Sequence, residues 1–404
     1  MLHRWAGDRS AIRALAIAPD GSWIASAGQD GLIRVWRTET GEQLYALRGD
    51  DAGGTDGITV LAVAPDGGWL AAAGEGESIC LWDMTSGEPR ALPSKRYSAS
   101  TLAVIRTENL LVSGGKPVSL PPTLLKGNAE ASGGALWECH GQEPRAYLPP
   151  EINRHIYTLV ADPRGQWLAA TGFNGIGCQY NNLSVLDLHS GKARVLAKGE
   201  KVDPTGPLAV APDGRWLAAS DGRHIRLWQT HRGWRHHIVL KRHPLPAWVY
   251  RRLGKGEIGF DPGQLSSPIH ALAAGPDGAW IAAAYGVNKI CIWDIETGRL
   301  LYRPVGGGAR TVCALAVDPR GRWLFSAGGD GLVHRWVLDP TAEVPVCDRA
   351  MQVLSDDDWV VWEHPNDEGR RRWAAHSSGA RQWLGWHEPR ADGTGWAHRP
   401  LDAD

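Results

Sequence analysis

The chain has 404 residues, among them 50 Gly, 26 Pro and 21 Trp, and a formal net charge of −1. Without a summed positive charge, no direct nucleic-acid or membrane partner is expected. With no N-terminal signal pattern and no apolar run of about 18 residues, the expected location is the cytoplasm.

In chain order one unit recurs seven times: an apolar alternation, a turn of Pro-Asp-Gly type, then a tryptophan. It reads IRALAIAPDGSW at Ile12–Trp23, ITVLAVAPDGGW at Ile58–Trp69 and, degraded, STLAVIRTENL at Ser100–Leu110. It returns as IYTLVADPRGQW at Ile156–Trp167, GPLAVAPDGRW at Gly206–Trp216, IHALAAGPDGAW at Ile269–Trp280 and VCALAVDPRGRW at Val312–Trp323. Units this small cannot bury their own apolar faces and must stack on neighbours.

Within the first unit, Leu15 and Ile17 alternate with small residues, the period of a strand. Pro19-Asp20-Gly21 is a turn, Trp23–Ser26 a second strand, Asp30-Gly31 a second turn and Leu32–Trp36 a third strand. Thr40-Gly41 then turns the chain into a fourth strand, Gln43–Leu47. Four antiparallel strands in about 40–45 residues make a propeller blade. The third strands close on Trp82-Asp83 and Trp293-Asp294, or keep only the tryptophan, as in Trp36-Arg37, Trp228-Gln229 and Trp336-Val337.

On these residues the chain resembles the WD40-repeat family over about residues 1–347. The resemblance implies an all-β, seven-bladed β-propeller. The family's Gly-His pair is absent, and its buried polar set survives only in part. Repeats one and seven keep Ser26, Asp30, Trp36 and Ser326, Asp330, Trp336, whereas repeats two and six carry Ala72 and Ala283 in the serine's place. Residues Met1–Ala6 read as an outermost strand with no blade before it, so the N-terminus is expected to complete blade seven and close the ring. The alternative is that Thr341–Cys347 forms that last strand.

In such a ring the second-to-third-strand turns and the blade-to-blade connections share one face, and nearly every insertion falls there. These are Gly49–Gly57, Gly115–Gly133, Phe173–Asn182, Lys198–Thr205 and Lys241–Pro268. Long loops on a rigid scaffold are where function concentrates. The longest holds KRHPLPAWVYRRLGKGE at Lys241–Glu257, a basic stretch with two aromatics. One reading makes Lys241, Arg242, Trp248, Tyr250, Arg251 and Arg252 contacts for an acidic partner or a phosphate-bearing ligand. The other makes the aromatics loop packing and the arginines solvated. His236, His237 and His243 do not read as a metal site, since neighbours on a strand point oppositely. The six cysteines show no CxxC pair and read as reduced core residues.

The segment from Asp348 to Asp404 breaks the repeat, carries net charge −4 and holds six tryptophans, among them Trp359, Trp362, Trp383 and Trp386. It is expected to be a small β appendage packed by its Trp faces, or a docking element exposing them; an eighth blade is a third option. Its WVVW…SSGARQWLGW pattern is similar to a tail found after WD repeats in some bacterial proteins, including ones joined to caspase-like proteases. That resemblance implies another protein subunit as partner, with an effector or protease among the candidates.

The residues following the opening apolar position of each first strand are Arg13, Thr59, Ser100, Tyr157, Gly206, His270 and Cys313. With no carboxylate among them, this ring builds neither a general acid/base pair nor a hard-metal cage. The adjacent Cys139-His140 pair is poorly disposed to act as a dyad. No catalytic residue, metal or cofactor is therefore expected. The reading is a non-catalytic interaction, scaffold or regulatory recognition subunit of a multi-protein, bacterial system, docking on the loop-rich face. The rival is a sensor for a small molecule or peptide at the channel mouth near Arg13, Tyr157 and His270. A hydrolase using loop residues comes third.

Overall fold

A computed structural model describes residues 10–48, 57–74, 78–93, 97–117, 133–138, 141, 143–149, 151–152, 155–173, 181–198, 203–222, 224–231, 233–240, 268–286, 289–302, 311–338, 346–353, 358–363, 373–378, 380, 385–389 and 396–400. Among them there is no helix long and apolar enough to cross a membrane. The chain is an all-β, seven-bladed propeller. Each blade is an antiparallel meander in chain order, blade one running Ile12–Ile17, Trp23–Gly28, Leu32–Arg37, Gln43–Arg48.

The first strands form the inner ring. Ile12–Ile17 packs on Ile58–Val63, which packs on Tyr97–Ile105, then His155–Ala161, Leu208–Val210, Ile269–Ala274 and Val312–Val317, and the last returns to Ile12–Ile17. The core divides accordingly into clusters that straddle neighbouring blades. Ile33 and Val35 of blade one meet Leu70 and Trp82 of blade two, and Ile292 of blade six meets Leu324 and Trp336 of blade seven. No blade could bury these faces alone, which is why the repeat was decisive. Alanines fill the second strands, as in Trp69–Gly74 (WLAAAG), every residue of which is buried. A sheet covered on both sides has room for small side chains there.

Two local devices repeat with the sequence. In the first turn, Asp20 Oδ1 accepts the Ser22 N–H at 2.9 Å, and Gly21 takes φ +71°, a conformation that other residues resist. In the inner strands of blades one, two, three, four, six and seven the register slips by one residue. Ile12 faces Gly28 but Ala14 faces Ala27, leaving Arg13 bulged. The bulge brings backbone onto backbone: a Cβ on Gly28 would lie 2.0 Å from the Ala11 carbonyl oxygen, and one on Gly74 2.0 Å from that of Gly57. Glycine is required there by close approach.

Blade seven differs from the expectation in one respect. The place beside Leu332–Val337 that was assigned to the N-terminal strand is filled by Val346–Val353, which pairs with it antiparallel. A bulge at Asp348 lies at the same register as those at Leu44 in blade one and Leu301 in blade six, so this is a true fourth strand. It begins five residues after the Thr341 start of the alternative, and it crosses from the repeats into the Trp-rich segment. The sheet then continues through Trp359–Glu363 and Trp373–His376 to six strands. Residues 1–9, expected to supply the closing strand, lie outside the described residues.

Candidate partner face and the inner bulges

Because each blade is a four-stranded meander, its first strand starts on the face where its second strand ends and its fourth strand finishes. The bulges therefore sit at one mouth of the ring, on the face that carries the long connections. Arg13, Thr59, Ser100, Tyr157, His270 and Cys313 are the bulged residues of blades one, two, three, four, six and seven. Three of them are more accessible than the residues beside them. Ser100, Tyr157 and His270 are exposed, whereas Ala99, Thr101, Ile156, Ile269 and Ala271 are buried. A bulge re-aims a side chain, with a local break in the ladder and a bend in the strand.

The three channel-mouth residues thus share one structural position on three blades. Tyr157 makes an edge contact with Phe173, its ring centroid 5.5 Å away. His270 is open to solvent, yet desolvation lowers its pKa below the ordinary histidine value. Burial raises the Cys313 thiol's pKa, opposed by the charge of Arg13 across the seam.

Of the residues proposed for partner binding, Lys241, Arg242, Trp248, Tyr250, Arg251, Arg252 and Trp383 lie outside the described residues, as do Cys139, His140 and His243. Trp386 stands in the strand Gly385–Pro389, which pairs with Trp396–Pro400. Trp359 and Trp362 are half-buried. Trp359 packs in the cluster between blades seven and one, and Trp362 Nε1 donates to Gln352 Oε1 at 2.9 Å.

Nearer the core, Trp36 Nε1 donates to Ser26 Oγ and Trp336 Nε1 to Ser326 Oγ, both at 2.9 Å. Blade three keeps the same bond, Trp137 Nε1 to Ser113 Oγ at 2.6 Å, although its degraded repeat hid it. The turn aspartates do not join these bonds as the family pattern implied. Asp30 pairs with Arg34 at 2.6 Å and Asp330 with His334 Nε2 at 2.9 Å. On its other nitrogen His334 meets the Cys347 sulfur at 3.7 Å, an Asp–His–Cys order that resembles a nucleophile's relay. Cys347, however, is buried in the cluster between blades six and seven with Trp336 and Ile292, away from the accessible mouth. Among the described residues, no group of three His, Cys, Asp or Glu is placed to hold a metal ion.

A seven-bladed propeller defines a fold class, and comparison with known proteins narrows it. The model of the WD domain, G-beta repeat matches residues 1–37, 41–83, 208–229 and 301–336, and these stretches are similar to WD40 repeats. Single stretches resemble the ribosome biogenesis protein ERB1 of Coccidioides immitis (49% identical over 45 residues, 11% of this chain and 5% of that one). The erb1 proteins of Aspergillus clavatus (45% over 42 residues, 10% and 5%) and Botryotinia fuckeliana (46% over 46 residues, 11% and 6%) match similarly. The matches thus span about one twentieth of those relatives' length. These relatives are fungal, and the expected bacterial source finds no support among them.

Proposed function

We propose that the protein is a non-catalytic interaction scaffold whose partner, another protein subunit, docks on the face bearing the long connections. The observation that carries this reading is the ring of bulges. On a backbone repeated almost without change, the six bulged positions hold Arg, Thr, Ser, Tyr, His and Cys. Chemical individuality on a uniform frame serves recognition of one asymmetric surface better than it serves packing. The basic stretch around Trp248 and Arg251 belongs to a connection leaving the same face, and aromatic and arginine residues are the usual anchors of interfaces. The matches to ribosome biogenesis proteins are one repeat long, so they support the blade and leave the assembly open.

The test is capture of partners from the native host by tagged protein. It compares wild type with a Trp248→Ala, Tyr250→Ala, Arg251→Glu, Arg252→Glu variant and with a Tyr157→Ala, His270→Glu variant, each checked for folding by circular dichroism. Loss of a specific partner in either variant is the expected result. Retention of every partner by both would sink the reading. A second reading, a small-molecule sensor, draws on the exposed Tyr157 and His270 at the same bulge position of two blades. It would be favoured by native mass spectrometry showing an adduct lost only in the Tyr157, His270 variant.

A further inference from the structure

Blades one to six hand the chain directly to the next blade, but blade seven has to meet blade one across an open junction. Among the described residues the two are held by an exposed ion pair, Arg322 Nη1 to Glu39 Oε1 at 3.4 Å, and by three more extensive contacts. Their inner strands Val312–Val317 and Ile12–Ile17 pack together, and Phe325 and Val333 form a common cluster with Ile24 and Trp36. The third hold comes from the strand Val346–Val353 and its continuation.

Arg335, 4% exposed, donates from Nη1 to the carbonyl oxygens of Thr38 and Glu39, each at 2.7 Å. Its Nε and Nη2 are held by the two carboxylate oxygens of Asp348, the Nε bond being 2.9 Å. Arg349 Nη1 donates to the carbonyl oxygens of Glu39 and Thr40, each at 2.8 Å. Two arginines of blade seven thus grip three consecutive carbonyls in the turn between blade one's third and fourth strands. The next residue of that turn is Gly41, at φ +78°, where a Cβ would lie 3.0 Å from Val361 and 3.2 Å from Met351. Burial, and then the neighbouring charge of Arg335, lower the Arg349 pKa, so the pair is held together by acceptors that offset a repulsion. The seam between blades five and six has a lighter tie, Arg215 Nη2 on the Asp277 carbonyl at 3.2 Å and Trp216 Nε1 on that of Gly278 at 2.8 Å.

We infer that residues 346–363 are the clasp of the ring: by gripping the Thr38–Thr40 turn through Arg335 and Arg349, and covering Gly41 with Met351 and Val361, they hold blade seven to blade one. The clasp does what a strand shared between the first and last blades would do, with side-chain bonds in place of a ladder. Asp348 is part of it, because a bulge that carries Leu44 or Leu301 in other blades here presents a carboxylate to orient Arg335.

The test is amide hydrogen exchange on the full chain, following peptides that cover Ile12–Ile17, Thr38–Leu44 and Val312–Val317, with Tyr97–Ile105 and His155–Ala161 as the reference seam and Leu208–Val210 and Ile269–Ala274 reporting the five–six seam. In an Arg335→Met, Arg349→Met variant, exchange at the seven–one seam is expected to quicken about tenfold or more with the reference seam unchanged. Arg215→Met should loosen the five–six seam and leave the seven–one seam alone. If the methionine pair does not fold, an Arg335→Lys, Arg349→Lys pair, which keeps the charge and loses the fork, is measured in the same way. Unchanged exchange at the seven–one seam, or equal acceleration at every seam, would overturn the inference.

Discussion

Blades six and seven are neighbours with matching backbones and differently built interiors. In both, the tryptophan of the third strand stands opposite an apolar residue of the second, Trp293 against Ile281 and Trp336 against Leu324. In blade seven the indole N–H is answered by Ser326, and Asp330 answers His334. In blade six the serine's place holds Ala283, and the buried Trp293 Nε1 has no partner among the described residues. Blade six nevertheless keeps the turn at Gly278, the bulge at His270 and the seams on both sides. The polar set is therefore dispensable for making a blade. Turn chemistry, bulge and seam packing suffice, and the polar bonds are richest where the ring must close.

The largest effect should come from removing what both blades rely on. Trp336→Ala empties a side chain that is 1% exposed and packs with Ile292 of blade six and Val312 of its own blade. It should cost about 3–5 kcal/mol. Denaturant unfolding would check this, and a loss no larger than that of a surface substitution would mean that the seams do not carry the fold. Next is Ser326→Ala, which imposes the blade-six arrangement on blade seven. An indole N–H left buried and unanswered should cost about 1–3 kcal/mol. A neutral result would show that the bond contributes nothing beyond packing.

The reverse exchange, Ala283→Ser, should stabilise the protein by about 1 kcal/mol, because the hydroxyl would stand to Trp293 as Ser326 stands to Trp336. The gain is limited because Ala283 is fully buried and the added oxygen must fit. A rise in midpoint with an unchanged denaturant slope would support it. Destabilisation would mean that blade six has repacked around its alanine, with the Tyr285 hydroxyl and Cys291 sulfur, 2.7 Å apart, as the neighbours to inspect.

Much of this architecture was legible because seams, turns and bulges each leave a residue-level mark. Trp23, Gly21 and Gly28 recur at fixed spacing as Trp69, Gly67 and Gly74, and each is demanded by the backbone or by a neighbouring blade. Blade three was read as degraded because Thr107-Glu108-Asn109 replaces the turn; Asn109, at φ +51°, supplies the positive φ that glycine gives elsewhere. Closure was misread for a similar reason. VCDRAMQV at Val346–Val353 lacks the repeat's markers and follows a longer connection than other fourth strands, so Met1–Ala6 looked the better candidate. Pattern could not reveal Arg335 gripping carbonyls nearly 300 positions away, since nothing local marks an arginine whose acceptors belong to another blade. The bulged residues were found by alignment of the repeats, but their accessibility needed the register.

The smallest expected effect separates two turn acids of opposite disposition, Asp330, half-buried, and Asp162, buried. Burial pushes the Asp330 carboxyl up, but the hydrogen bond and charge of His334 and the Leu332 N–H outweigh it, and its pKa is lowered from 3.8. Asp162, in the turn of blade four, is raised from the same value, since burial there outweighs the N–H groups of Gln166 and Arg164. The signs then follow from linkage. Asp330 stabilises the fold above pH 3.8, and that contribution fades as pH falls through its lower native value. Asp162 stabilises relative to the unfolded chain below 3.8 and loses this as pH rises through its higher native value. Thermal midpoints of Asp330→Asn and Asp162→Asn, each subtracted from wild type across an acid series, should therefore drift in opposite directions. The Asp330 gap should shrink at low pH, while the Asp162 difference should move in favour of wild type. Parallel drifts would mean that His334 does not hold the Asp330 charge, and blade seven's polar set would then be no more functional than blade six's missing one.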